Sequence, residues 1–394
     1  MKILIYASNT LFEGERGDST HVRELVQNLS DFGHKVIVIA SQTHRNLNYD
    51  TFNLYRIRYY NNNLIPRVFI SIYAFLIGLF VLIKQKPDII YKRQSSIGDD
   101  IIIAKLARCP VVTEVNGPIS NEHRSNKTVI HTVIENILIY ISKQSILNSD
   151  HIVAVTSNLK NLIQNELNIS AKKITVIPNG ANVKLFQPSE KKLSFQVLDL
   201  PSNFKYICFV GNLATYQGIE YLILAAPLIL SNCPDARFLI VGEGSAKNEW
   251  MKIAQEIGVY DKFIFKGGVP FEQVPLYINA SDVCVAPFKI YRNVKIGLSP
   301  LKLYEYLACG KPVVSSRIPN IEFIEEQNAG FLVEPENPEE LGKAIIKIMK
   351  DENLRNLMGK NGRDFVVKYN SWEANARKVE ELCEKVIEEY KKSV

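Results

Sequence analysis

The chain has 394 residues, 46% of them apolar and 22% charged, and 47 Lys and Arg against 41 Asp and Glu give a net charge of +6. That length suggests two domains, and the composition excludes a disordered chain, a collagen and a small disulfide scaffold. Residues 1–180 hold 20 basic and 14 acidic side chains and residues 181–394 hold 27 of each, so the basic excess belongs to the first half and suits an anionic partner, either a membrane surface or an acidic ligand.

Short apolar runs alternate with helical patterns. Strands are predicted at 2–7 (KILIYA), 35–40 (KVIVIA), 88–91, 111–115, 151–155 and 174–177. Helices are predicted at 19–31, with Val22, Leu25, Val26 and Leu29 on one face, and at 68–84, 97–107 and 128–147. Uninterrupted apolar strands between helices mean a parallel sheet covered on both faces. The pattern pauses at 184–203, where Pro188 and Pro201 mark a linker, and restarts with strands at 206–210, 237–241, 263–265, 283–286 and 313–315. Helices are expected at 218–230 and 246–257, and the chain from Pro338 reads as helical, ending in an amphipathic segment at 371–391. The reading is α/β, with two Rossmann-like parallel-sheet domains facing an interdomain cleft, because open α/β sheets bind ligands at their carboxyl ends.

The run 68–83 (VFISIYAFLIGLFVLI) carries no charge and is closed by Arg67 and Lys84. It is short of the roughly 20 residues a membrane span needs, which favours a buried core helix over a span, with a helix lying against a bilayer as the middle reading. The six cysteines are scattered without a CxxC pair, which suits reduced thiols and a cytosolic compartment, and no signal peptide is read at Met1-Lys2. No zinc spacing and no dense basic run are present, so neither a metal nor a nucleic acid is expected.

The most informative segment is 297–314 (GLSPLKLYEYLACGKPVV). Ser299 suits an N-cap and Pro300 the first helical position. Lys302 in the first turn opposes the helix dipole, a conflict that a phosphate at the helix start would remove. Glu305 shares its face and suits ribose hydroxyls; a plain surface ion pair explains the same two residues. Gly17 and Asp18 lie after the first strand and before the 19–31 helix, without a clean G-x-G-x-x-G, which disfavours a dinucleotide oxidoreductase. Gly17 serves equally as a turn or a phosphate contact. Asn116, Glu122 and His123 follow the 111–115 strand, where a loop can carry acceptor contacts or simply be solvated. His21 is a further acceptor-side candidate, His34 serves a turn, and Asp99-Asp100, near the start of the 97–107 helix, are explained by its dipole.

Segment 297–314 closely resembles the donor-site signature of the retaining glycosyltransferases of family 4, which have the GT-B fold. Residues 206–224 (YICFVGNLATYQGIEYLIL), Val241-Gly-Glu-Gly244, 265–270 (FKGGVP) and 277–287 (YINASDVCVAP) resemble that family's donor domain. Residues 33–36 (GHKV), 114–118 (EVNGP) and 177–180 (IPNG), with Trp372-Glu373 at the last helix, extend the likeness over nearly the whole chain. The resemblance implies an acceptor-side domain at 1–187, a donor domain at 188–370 and a final helix at 371–394 that packs back on the first. It implies transfer of a hexose from a nucleoside-diphosphate sugar to a hydroxyl acceptor with retention, without metal or cofactor. Lys302 and Ser299-Pro300-Leu301 would meet the diphosphate and Glu305 the ribose. Gly211, Asn212 and Gln217 would line the diphosphate and sugar, and Val269 the base.

Three positions depart from the family pattern. Its first glutamate falls on Gly297, and its loop Arg and Lys fall on Asn212 and Gln217. Lys302 is expected to compensate, with Arg292 or Lys295. The basic first half and the 68–83 run favour a glycan or lipid-linked acceptor at an anionic membrane surface, hence a cytoplasmic enzyme peripheral to the membrane, in cell-surface polysaccharide or glycolipid assembly. The alternatives are a non-catalytic nucleotide-sugar-binding protein and a nucleotide-sugar epimerase on the same fold.

Overall fold

The computed structural model describes residues 1–14, 17–42, 51–58, 64–94, 99–117 and 129–393. The chain divides into two compact units, Met1–Pro178 with Glu373–Val394, and Asn179–Trp372.

In the first unit the elements run β1 (Lys2–Leu11), α1 (Gly17–Asp31), β2 (Lys35–Gln42), β3 (Asn53–Arg58), α2 (Leu64–Gln85), β4 (Ile89–Arg93), α3 (Asp99–Leu106), β5 (Val111–Val115), α4 (Val129–Leu147), β6 (His151–Ala154), α5 (Ser157–Leu167) and β7 (Ile174–Val176). The sheet has the order β3-β2-β1-β4-β5-β6-β7 and every pairing is parallel. Alternation along β1 sorts its two faces. Ile3, Ile5 and Ala7 join a core with Val22 and Val26 of α1, and Leu4 and Tyr6 join one with Ala74 and Val81 of α2 and Ile103 of α3.

The second unit runs α6 (Lys191–Leu198), β8 (Lys205–Val210), α7 (Ile219–Asn232), β9 (Ala236–Val241), α8 (Lys247–Glu256), β10 (Phe263–Gly267), α9 (Val274–Ala280), β11 (Val283–Ala286), α10 (Ile290–Ile296), α11 (Leu301–Ala308), β12 (Val313–Ser316), α12 (Phe323–Glu326), β13 (Gly330–Val333), α13 (Pro338–Lys350) and α14 (Glu352–Tyr369). Its parallel sheet is ordered β10-β9-β8-β11-β12-β13. The last helix, α15 (Trp372–Ser393), contributes Ala376, Val379, Leu382, Cys383 and Val386 to the first unit's core. His34 accompanies it, with Nε2 2.6 Å from Glu380 Oε1 and Nδ1 3.2 Å from the terminal amine of Met1.

Several expectations need correction. The 184–203 stretch is not a bare linker, since α6 lies within it and buries Phe195. β3 is the edge strand of its sheet, with the mixed sequence NLYRIR, which hides its period from a search for apolar runs. Asp100 does more than complement a helix dipole. It is buried and accepts from Lys92 Nζ at 2.8 Å, and the same ammonium donates to Ser145 O. The core-helix reading of 68–83 holds for one face of α2 only, since Leu76, Phe80 and Ile83 are exposed. No helix among the described residues is long and apolar enough to cross a membrane.

Candidate functional site

In the second unit the carboxyl ends of β8 and β9 approach through glycines. A Cβ on Gly242 (φ +134°) would lie 1.9 Å from Gly211 O, and one on Gly218 (φ +69°) 1.9 Å from Pro287 O. The backbone between β8 and α7 therefore closes as only glycine permits. Into this turn comes Lys302 from α11. Its ammonium sits where a side chain on Gly211 (φ +142°) would begin, at 2.6 Å. Lys302 Nζ donates to Gln217 Oε1 at 2.8 Å and lies 3.8 Å from the ring centroid of Phe209. Burial in these surroundings pulls the Lys302 pKa down to about 7, against an opposing pull from Glu305. Glu305, one turn along α11, is buried. The sequence places a charge at a helix start; the structure adds that it is largely desolvated and that an aromatic face supports it.

The start of α11 differs from the expected cap. Leu301 is the first helical residue, and Pro300 precedes it in an extended conformation (φ −80°, ψ 129°). Ser299 does not cap the helix, because its Oγ accepts from the Asn179 backbone N–H at 2.8 Å. Asn179 Nδ2 also donates to Ser299 O at 2.6 Å. The 177–180 and 299–302 segments, read separately in the sequence, are thus joined, and the helix N–H groups keep no side-chain cap. Tyr306 OH takes the Val210 N–H at 2.7 Å and fixes α11 to the end of β8.

Gly297 (φ +67°, ψ 177°) is held in a conformation close to glycine-only, and a Cβ there would lie 1.9 Å from Asn320 Oδ1. A glutamate at this position would therefore need both a strained backbone and a displaced Asn320. Asn212 is exposed on the loop after β8. Val269 follows β10, half-buried on the core, and has no polar side chain to offer a base. Lys295 is exposed, and the side chain of Arg292 lies outside the described residues.

In the first unit His21 and Asn116 converge on a residue that the sequence reading quoted in a motif but gave no role. Glu114, buried in β5, accepts from Tyr91 OH at 2.6 Å and from Asn116 Nδ2 at 2.5 Å, and it lies 2.8 Å from His21 Nε2. Burial alone would raise its pKa; His21, Arg93 and Asn116 prevail and hold it well below the usual carboxylate range. The Tyr91 phenol is pushed up by burial and by that carboxylate. Arg93 also donates to Asp18 O at 3.0 Å, at the start of α1, where Gly17 is exposed. The usable signal was a glutamate inside the apolar strand VVTEV, which a buried position requires to be paired. Glu122 and His123 lie outside the described residues. Among the described residues no cluster of three or more metal-ligating side chains occurs.

Residues 16–185 match the family described as Glycosyltransferase Family 4, and residues 190–365 match Glycosyl transferases group 1. The chain is 30% identical over 234 residues to an uncharacterised glycosyltransferase (MJ1607) of Methanocaldococcus jannaschii, covering 58% of each chain. It is 28% identical over 300 residues to the UDP-Gal:alpha-D-GlcNAc-diphosphoundecaprenol alpha-1,3-galactosyltransferase of Escherichia coli, covering 74% of each. Among solved structures, the sucrose-phosphate synthase of Thermosynechococcus elongatus superposes with a TM-score of 0.79 at 21% identity, covering 98% of both chains. Two parallel-sheet units of this topology, matched in turn by two glycosyltransferase families, identify the chain as a member of the GT-B glycosyltransferases.

Proposed function

We propose that this protein transfers a hexose from a nucleoside-diphosphate sugar to a hydroxyl of a lipid-linked glycan, with retention at the anomeric carbon, at the cytoplasmic side of a membrane. The observation that carries the donor reading is the Lys302 ammonium set against Gly211 at the end of β8, with Glu305 one turn on. The bond between the anomeric carbon and the diphosphate oxygen breaks as the acceptor oxygen bonds to the same face, and the acceptor proton passes to the departing phosphate. The protein then has to hold the geometry and neutralise the leaving group. Lys302 and the uncapped N–H groups of α11 supply that neutralisation without a resident metal. Glu305 takes the ribose hydroxyls, and Gly211, Asn212 and Gln217 border the sugar. Asn116 and His21, steadied by Glu114, serve the acceptor side. The lipid-linked acceptor is supported by the Escherichia coli relative, whose named acceptor is carried on diphosphoundecaprenol.

The test is a panel of UDP-, GDP-, ADP- and CMP-sugars, with saturation-transfer NMR for binding and released nucleotide for turnover. One donor should bind, and Glu305→Ala should lose it. Absence of binding by every donor to folded protein would overturn the reading in favour of a glycosyltransferase fold that has lost its donor site.

A further inference from the structure

Around Ser299 the local sequence and the folded chain ask for different things. Ser-Pro is the pattern of a helix whose serine caps the first turn and whose proline opens it. α11 does not start that way. Pro300 lies at ψ 129°, where a helical residue needs about −40°, and no side chain caps the helix. Ser299 is engaged elsewhere. Its Oγ takes the Asn179 N–H at 2.8 Å, its carbonyl takes Asn179 Nδ2 at 2.6 Å, and Tyr304 OH is 3.4 Å from the same Oγ. Asn179 is itself held. Its carbonyl accepts from Asn370 Nδ2 at 3.4 Å. Two residues on, the Ala181 N–H donates to Asn370 O and Ala181 O accepts from the Trp372 N–H, each at 3.0 Å. All of these residues belong to the second unit.

A strong local preference is thus overruled by a partner 120 residues away, and conflicts of this kind collect at functional sites. Were Ser299 released, Pro300 could turn helical, and the Ser299 hydroxyl would accept from the Leu301 or Lys302 N–H, the second and third positions of the longer helix. Those N–H groups lie in the turn that carries the Lys302 side chain. A cap there would consume the donors that an anion at this helix start uses. We propose that Asn179 is a positioning residue for the donor site: it holds Ser299 off α11 and so keeps the helix start open to a diphosphate. The diphosphate rests on the donor reading; the hold on Ser299 does not. Asn179 acts through Ser299 and touches neither diphosphate nor sugar in this scheme.

The experiment compares Asn179→Ala, Ser299→Ala and the double variant, each shown to be folded by circular dichroism. It reads amide hydrogen exchange at Leu301 and Lys302 by NMR, and calorimetric binding of UDP, GDP, ADP, CDP and inorganic pyrophosphate, on the whole protein. In Asn179→Ala the freed serine caps the helix, so exchange at these amides should slow, and binding of the diphosphate that the native chain takes should weaken, each at least about fivefold. Ser299→Ala has no hydroxyl to misplace and should bind within about threefold of the native chain. The double variant should return to that same range, because the competitor is gone. This recovery distinguishes the inference from plain damage to the fold, which a second substitution would deepen. A double variant no better than Asn179→Ala, or an Asn179→Ala variant with native exchange and native binding, would overturn the inference. If the native chain binds none of these diphosphates, the donor reading fails, and the exchange pattern alone decides whether Asn179 holds Ser299.

Discussion

At the carboxyl end of the first sheet a buried carboxylate, Glu114, is met by His21, Tyr91 and Asn116, with Arg93 close by. At the same end of the second sheet a cation, Lys302, meets a neutral amide and an aromatic face. The first cluster has satisfied its own charge, and the ion stays an ion. The second has not: desolvation outweighs the pull of Glu305, and the ammonium titrates near pH 7. A closed network of this kind orders a strand end. A partly neutralised cation beside a helix start that keeps no side-chain cap is a place where an arriving dianion lowers the energy of what is already there.

The contrast can be broken from either side. Removing the carboxylate should have the largest effect: Glu114→Ala leaves His21 and Arg93 facing each other in a buried site and should cost about 3 kcal/mol of stability, read by denaturant unfolding of the whole protein. A loss below about 1 kcal/mol would mean that the cluster is solvated. Next comes Gly297→Glu, which restores the family's residue in name. The positive φ and the close approach of Asn320 predict a stability loss of about 1–3 kcal/mol and no gain in turnover; an active, equally stable variant would show that the backbone path adapts.

Lys302→Ala should weaken donor binding by about 2 kcal/mol, roughly thirtyfold, since a charge-assisted contact to phosphate is lost. Gln217→Ala, which removes only the acceptor that steadies the ammonium, should cost a few-fold. Calorimetry on the donor found in the panel distinguishes them, and equal effects would deny Lys302 its role. The same contact sets a pH dependence. With a ligand-free pKa of about 7, Lys302 is protonated below that value and neutral above it. A bound diphosphate favours the protonated form, so donor Kd should be flat below pH 7 and rise above it, with a slope approaching tenfold per unit. Lys302→Arg, which stays charged, should flatten the profile.

Much of this was legible in order and little of it in contact. Apolar runs such as KVIVIA and YICFV announce buried parallel strands because both faces are covered, and they reveal the two sheets. β3 escapes because an edge strand needs no such run. The 299–302 motif is visible, but Ser299 is misread as a cap because its competing partner, Asn179, is 120 residues away. Lys302 is readable as a charge at a helix start, whereas its desolvation depends on Phe209 and Gly211, which only folding brings up to it. Glu114 is overlooked because a carboxylate in a strand draws no notice until its donors from β4, α1 and the loop after β5 are in place.

The first unit also closes late. The residues that cover one face of its sheet, from Ala376 to Val386, lie beyond the whole of Asn179–Trp372 in the chain. At bacterial or eukaryotic rates of synthesis, that intervening unit takes about 10–40 s to emerge. Throughout that interval Ile3, Ile5 and their neighbours have α1 on them but lack the cover that α15 supplies. The nascent first sheet therefore offers a sticky surface to chaperones and to other unfinished copies, and translation speed through the second unit sets how long it does so.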